Sequence, residues 1–230
     1  MRKYSQVFES KNYNSKIEFT NIRPDLTVEG VKELCNIAKK KNYYAVCVRS
    51  KFINDAKSFL EDSSVKVVAI IDFPEIEGGK IGETKPKIKL KEVREAIING
   101  ADEVDIAVNT KAFVKAEDKT EVTQNLTTEI GDIANYCSSN GVLIKIVLET
   151  GTLLLDDIKL LCEICVKAGV HFVMTSTGYG KVGAELDKVK YMRRILPDYI
   201  KIKAAGGIRT EASAEEFLKY ADRIGTSSEI

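Results

Sequence analysis

A (β/α)8 barrel in one domain spanning 1–230 is the fold this sequence predicts, and three observations carry it. Apolar or β-branched runs recur eight times along the 230 residues. Each of the first seven is followed by a stretch of helical period, the alternation expected of βαβ units around a parallel sheet. No Gly/Ser-rich linker or block of like charge divides the chain. An open doubly wound sheet is the alternative arrangement of the same elements.

In order, KIEFT (16–20) precedes a helical stretch at 27–41, and YAVCV (44–48) precedes one at 54–62. VKVVAIIDF (65–73) runs into a long charged loop at 75–86 and then a helix over 89–100. EVDIAV (103–108) leads to a helix over 120–139, and VLIKIVLE (142–149) to one over 155–169. HFVMTS (171–176) is followed by 184–196, YIKIKAA (199–205) by 210–221, and DRIGTS (222–227) closes the series. Three helices end in glycine stops just before the next strand, at Asn99-Gly100, Asn140-Gly141 and Ala168-Gly169.

Composition narrows the function. Hydrophobic residues make up 44% and charged residues 30%, a soluble globular balance with enough apolar mass for a large core. With a net charge of +1, no global field favours nucleic acid or an anionic membrane, so any anion must be caught locally. The N-terminal 1–16 lacks the apolar centre of a signal peptide and no segment is long enough to span a bilayer, so a cytoplasmic protein is expected. The five cysteines are odd in number and lie in apolar runs, as reduced thiols do. Cys162 and Cys165 have redox spacing, but they fall in mid-helix on its buried stripe, where a redox pair would open the helix. One histidine and no second cysteine pair leave no metal site.

Charged residues interrupt several strands: Asp105 in EVDIAV, Lys145 and Glu149 in LIKIVLETG, Lys201 and Lys203 in YIKIKAAGG. A buried ammonium costs several kcal/mol unless it is paired, so such lysines on separate strands predict a shared polar pocket at the barrel mouth. Strand six empties into Ser176-Thr177-Gly178-Tyr179-Gly180-Lys181, a small-residue turn rich in donors and a usual setting for a phosphate.

Taken together, AVCV (45–48), EAIINGADEVDIAVN (95–109), LIKIVLETGTL (143–153), AGVHFVMTSTGYGKVGA (168–184), IKAAGGIRT (202–210) and RIGTSS (223–228) resemble deoxyribose-phosphate aldolase, a class I Schiff-base aldolase on a (β/α)8 barrel. The likeness runs from about residue 17 to 228. It implies cleavage of 2-deoxyribose 5-phosphate to acetaldehyde and glyceraldehyde 3-phosphate, with no cofactor and no metal. In that family a strand-six lysine forms the iminium and a strand-seven lysine beside it lowers its pKa. An aspartate with a strand-five lysine moves protons. Carried onto this sequence, the strand-seven lysine is Lys203, the aspartate Asp105 and the strand-five lysine Lys145. Cys47 takes a pocket-lining position. The ligand and phosphate contacts fall on Thr177, Gly178, Lys181, Gly206, Gly207, Gly225, Ser227 and Ser228.

The strand-six position itself is Met174, a side chain of lysine-like length without a nitrogen. Other departures accompany it: Glu18-Phe19-Thr20-Asn21-Ile22-Arg23-Pro24 in place of an Asp-His-Thr-Leu-Leu-Lys-Pro run, Arg49 after Cys47-Val48, the charged 75–86 loop, and an end two residues past Ser228. These companions favour natural divergence over an engineered change. Two functions are then expected. The first is an impaired aldolase or lyase acting on a small phosphorylated aldehyde or deoxysugar phosphate, with Lys203 as nucleophile. The second is a non-catalytic sugar-phosphate binder or protein-interaction scaffold, for which the lysines 80, 85, 87, 89 and 91 offer a surface. A homodimer is compatible with either.

Overall fold

Eight strands pair in parallel and in chain order: β1 (Ile17–Thr20), β2 (Ala45–Arg49), β3 (Lys66–Ile71), β4 (Glu103–Ala107), β5 (Leu143–Val147), β6 (Phe172–Met174), β7 (Lys201–Ala205) and β8 (Arg223–Thr226). β8 returns to β1 and closes the barrel. The computed structural model describes residues 13–75 and 79–230; most of the N-terminal stretch read for a signal peptide, and positions 76–78 of the charged loop, lie outside them. No helix among the described residues is long and apolar enough to cross a membrane.

The helices are α1 (Val28–Lys41), α2 (Ile53–Phe59), α3 (Pro86–Ile98), α4 (Thr110–Lys115), α5 (Lys119–Ser139), α6 (Leu155–Ala168), α7 (Leu186–Ile195) and α8 (Glu211–Leu218). Their ends follow local chemistry. The Thr27 hydroxyl accepts from the Gly30 N–H at the start of α1, and Gly169, at φ +72°, ends α6 in the left-handed turn that glycine takes at least cost. The α4 turn was not expected from the helical period. It is six residues long and is started by Asn109, whose side chain accepts from the Ala112 N–H.

Strand alternation sorts the core. Val46, Val67, Val104, Ile144 and Ile202 pack outward against the helices in the main apolar cluster, which also takes in Cys162 and Cys165 of α6. On the inner face two small clusters remain, Cys47 with Val68 and Ile70, and Met174 with Val147 and Ala205.

Every strand except β2 is shorter than its apolar run, and two of them show why. β3 ends at Ile71 because Asp72 turns to φ +58° and its carboxylate accepts from the Thr84 N–H (3.0 Å) and hydroxyl (2.5 Å). Lys89 lies 3.2 Å from that carboxylate and 2.6 Å from Glu129, and donates to the Ala107 carbonyl at 3.1 Å. It is fully buried, which corrects its place among the surface lysines: it anchors the β3–α3 connection from below. β6 ends at Met174, and Thr175 continues the pairing with its side chain, donating to the Ala205 carbonyl and accepting from the Ala205 N–H.

At the opposite end of β6, the Nδ1 of His171 accepts from the Ile144 N–H at 3.2 Å, which only a neutral imidazole can do. Burial holds its pKa below the ordinary value against the pull of Glu103. A depressed histidine costs stability as pH falls, because the unfolded chain takes up the proton first. As the sole histidine of the sequence, its imidazole resonances should titrate below about 6.5 by proton NMR. A midpoint at or above that value would refute the bond as drawn.

Candidate active site

The barrel floor is a ladder of alternating charge. Lys145 of β5 lies 2.5 Å from Glu103, 2.9 Å from Asp105 and 3.4 Å from Glu18. Lys203 of β7 donates to Asp105 at 2.5 Å and also to Glu18. Arg223 of β8 closes the lower end, 3.4 Å from Glu18 and 3.7 Å from Glu103, with its guanidinium stacked over Tyr44. Three carboxylates thus meet three cations, and Glu18, Asp105, Lys145 and Lys203 are at most 1% exposed. Such a set persists in the interior because every member is paired; removing one partner leaves an uncompensated charge.

Sheet register explains the meeting. Asp105 sits beside Lys145, and Met174 beside Lys203. Glu18, however, lies on β1, and Lys203 reaches it across β8. Gly225 makes the crossing possible: a Cβ there would stand 2.9 Å from both the Lys203 Cε and the Ala205 Cβ.

The surroundings set the charge states. Burial alone would lift the Asp105 carboxyl, but Lys145 and then Lys203 outweigh it and hold it below the ordinary value. Burial would likewise depress the Lys203 ammonium, and Asp105 with Glu18 reverses that and raises it. Lys145 is raised in the same way by Asp105, Glu18 and Glu103. The carboxylate's contribution to stability is present above its unfolded value of about 4 and lost as pH falls. The lysines' contribution is present below about 10.4 and lost only as pH rises through their higher folded values. At neutral pH Asp105, Lys145 and Lys203 are therefore charged. Cys47, 3.9 Å from Asp105, is pushed up to about 12 by burial and is a thiol rather than a thiolate.

Above the floor opens a cavity of about 470 Å³ at the carboxyl ends of the strands, where barrels of this kind carry their chemistry. Asp105, Lys203, Met174 and Cys47 line its lower part. Thr177, Gly178, Gly206, Gly207 and Ser227 line the rim, and Gly225 lines the wall beside Lys203. Gly206 and Gly207 take φ of +100° and +80°, a turn that L side chains resist and that bares successive backbone groups toward an anion. Lys145 is sealed beneath the floor, and neither Lys181 nor Ser228 lines the cavity. Two arginines line the cavity, Arg209 beside the glycines and Arg23 after β1.

Two strand charges expected at the mouth lie elsewhere. Lys201 is exposed at the start of β7, 3.6 Å from Asp222. Glu149 is buried under the strand-six turn, where its carboxylate accepts from the Thr177 N–H (3.1 Å) and hydroxyl (2.8 Å). Burial raises its pKa, which those two bonds partly offset. A Cβ on Gly180 would stand 2.6 Å from Glu149 Oε1, so a side chain there would have to displace that carboxylate. Sequence reasoning did not single out Glu18, Arg209 or Tyr179 as site residues. An acid in KIEFT, apolar on either side, was the available signal for Glu18.

A closed parallel barrel with a lysine–carboxylate floor and a glycine-lined cavity at the carboxyl ends of its strands defines a (β/α)8 barrel protein. Residues 7–225 match the DeoC/LacD family aldolase. Deoxyribose-phosphate aldolases of Dictyoglomus turgidum and Caldicellulosiruptor saccharolyticus are 36% and 37% identical over 216 residues each, spanning 94% and 93% of this chain and 93% of either relative. The tetrameric deoxyribose phosphate aldolase of Aeropyrum pernix superposes with a TM-score of 0.82 at 25% identity, over 94% of this chain and 87% of that one. The chain belongs to the DeoC/LacD aldolase family, among the deoxyribose-phosphate aldolases.

The Gly225 crossing is directly testable. Gly225→Ala should cost about 1–3 kcal/mol in urea unfolding, the range for overpacking a tight interior. Its crystal structure should show Lys203 withdrawn from Glu18. Unchanged stability with the Lys203–Glu18 pair intact would mean that the crossing has room to spare.

Proposed function

We propose that the cavity binds a small phosphorylated aldehyde or deoxysugar phosphate of the 2-deoxyribose 5-phosphate class without forming a Schiff base at position 174. The observation that carries this reading is Met174, on the cavity wall beside Lys203 and below the glycine rim. A thioether has no amine and forms no imine at any pH. The rim glycines, Thr177, Ser227 and Arg209 supply N–H, hydroxyl and guanidinium groups suited to a phosphate. Lys203, held as an ammonium, serves as a hydrogen-bond donor to a ligand oxygen, with Asp105 as its counter-charge.

Lys203 as a replacement nucleophile is the competing reading, and its place in the cavity wall favours it. Its pairing disfavours it: an amine must shed its proton before attacking a carbonyl, and Asp105 and Glu18 oppose that loss. The protein-scaffold alternative draws on the surface lysines and is weakened by the burial of Lys89. The five cysteines, all free and buried, fit the reducing cytoplasm inferred for the protein.

Incubation with 2-deoxyribose 5-phosphate and borohydride, followed by peptide mass analysis, separates these readings. The native chain should bind the sugar phosphate and give no adduct. Met174→Lys should be trapped at the introduced lysine, because the ammonium of Lys203 beside it lowers the new amine's pKa. Retro-aldol turnover should then rise at least about a hundredfold, a barrier change of ~2.7 kcal/mol. An adduct on Lys203 in the native chain would overturn the proposal.

A further inference from the structure

Two cavities meet back to back at Ile70 and Phe73, which line both. One is the central cavity. The other, of about 580 Å³, lies outside the ends of β2 and β3 and is lined by Asp72, Glu75, Thr84, Glu92 and Arg49 among others. Arg49 borders only this outer cleft, whereas Ile22 and Tyr179, both of which it holds, border only the central cavity. The guanidinium therefore stands in the wall between the two.

Four of the five N–H groups of its fork are engaged. Nε donates to the Ile22 carbonyl at 2.6 Å, and Nη2 to the Pro74 carbonyl at 2.8 Å and the Tyr179 hydroxyl at 2.9 Å. Nη1 pairs with Glu75 at 3.1 Å. The Tyr179 hydroxyl donates in turn to the Ile22 carbonyl at 2.8 Å, and the Tyr179 N–H donates to the Thr177 hydroxyl at 3.1 Å. One side chain, 8% exposed, thus ties the loops after β1, β3 and β6 to one another. Lysine, with a single point of donation, cannot span these acceptors.

In the ring of eight strands, β3 stands opposite β7. A ligand whose phosphate rests on Gly206, Gly207 and Ser227, above β7 and β8, extends across Lys203 and Met174 toward the β2–β3 wall. We propose that Arg49 and Tyr179 are the specificity-determining pair of this site: by closing that wall they limit the length of the sugar phosphate it accepts, which favours the 2-deoxyribose 5-phosphate class over longer chains. This rests on the central cavity being the ligand site.

Calorimetry on the full chain with inorganic phosphate, 2-deoxyribose 5-phosphate and a seven-carbon sugar phosphate tests the proposal. The native protein should prefer the five-carbon ligand by at least about tenfold. Arg49→Ala should reduce that preference to within about threefold, and Tyr179→Phe should give an intermediate value. Phosphate affinity should stay within about twofold in every variant, since Gly206, Gly207 and Ser227 lie on the loops after β7 and β8, which Arg49 does not hold. Arg49→Lys keeps the charge without the fork, so it supplies the same reading if Arg49→Ala does not fold. An unchanged length preference with phosphate binding retained, or a native protein without any preference, overturns the pair's role alone. A native protein that binds neither phosphate nor sugar overturns the cavity reading and the length limit with it.

Discussion

Lys203 held between Asp105 and Glu18 is the interaction on which the rest of the structure depends. It ties β7 to β4 and β1 across the inside of the barrel, and it fixes what the cavity above can do. An ammonium so placed is costly to neutralise or to remove, since either change strands two carboxylates away from water. The ladder therefore persists as a unit, with Lys145 and Arg223 completing its charge balance. Chemistry that calls for a free amine at this point meets the resistance of that whole network.

Met174 takes its meaning from the same setting. A methionine in an apolar core is unremarked, and here it does pack against Val147 and Ala205. Its other neighbour is the charged floor, and the rim above it keeps glycines whose backbone geometry suits an anion. The floor and the rim thus surround a side chain that brings no amine to position 174. Arg49 stands in the wall on the β2–β3 side, at one of the positions where this sequence departs from the family pattern.

Much of this was legible in the sequence because strand period and intrusive charge are local signals. Eight apolar runs separated by helical stretches leave little choice of topology, and Asp105, Lys145 and Lys203 stand out against isoleucines and valines. What escaped depends on contacts between distant segments. Glu18 meets Lys203 only because the barrel closes and Gly225 lets a side chain pass, and neither condition is written near residue 18. Lys89 looks like one more loop lysine until Asp72 and Glu129 are seen around it. Lys181 follows the glycine turn in sequence, yet the chain leaves the cavity before reaching it, and Arg209 stands at the rim instead.

The charge on Lys203 is the quantity to measure. With ¹³C-labelled lysine and Lys203→Arg for assignment, the Cε shift of Lys203 can be followed from neutral to alkaline pH in the ligand-free protein. A resonance that stays at its ammonium position up to about pH 10 agrees with a lysine held by two carboxylates. Titration near neutrality would show a free amine at the cavity floor and contradict the central claim.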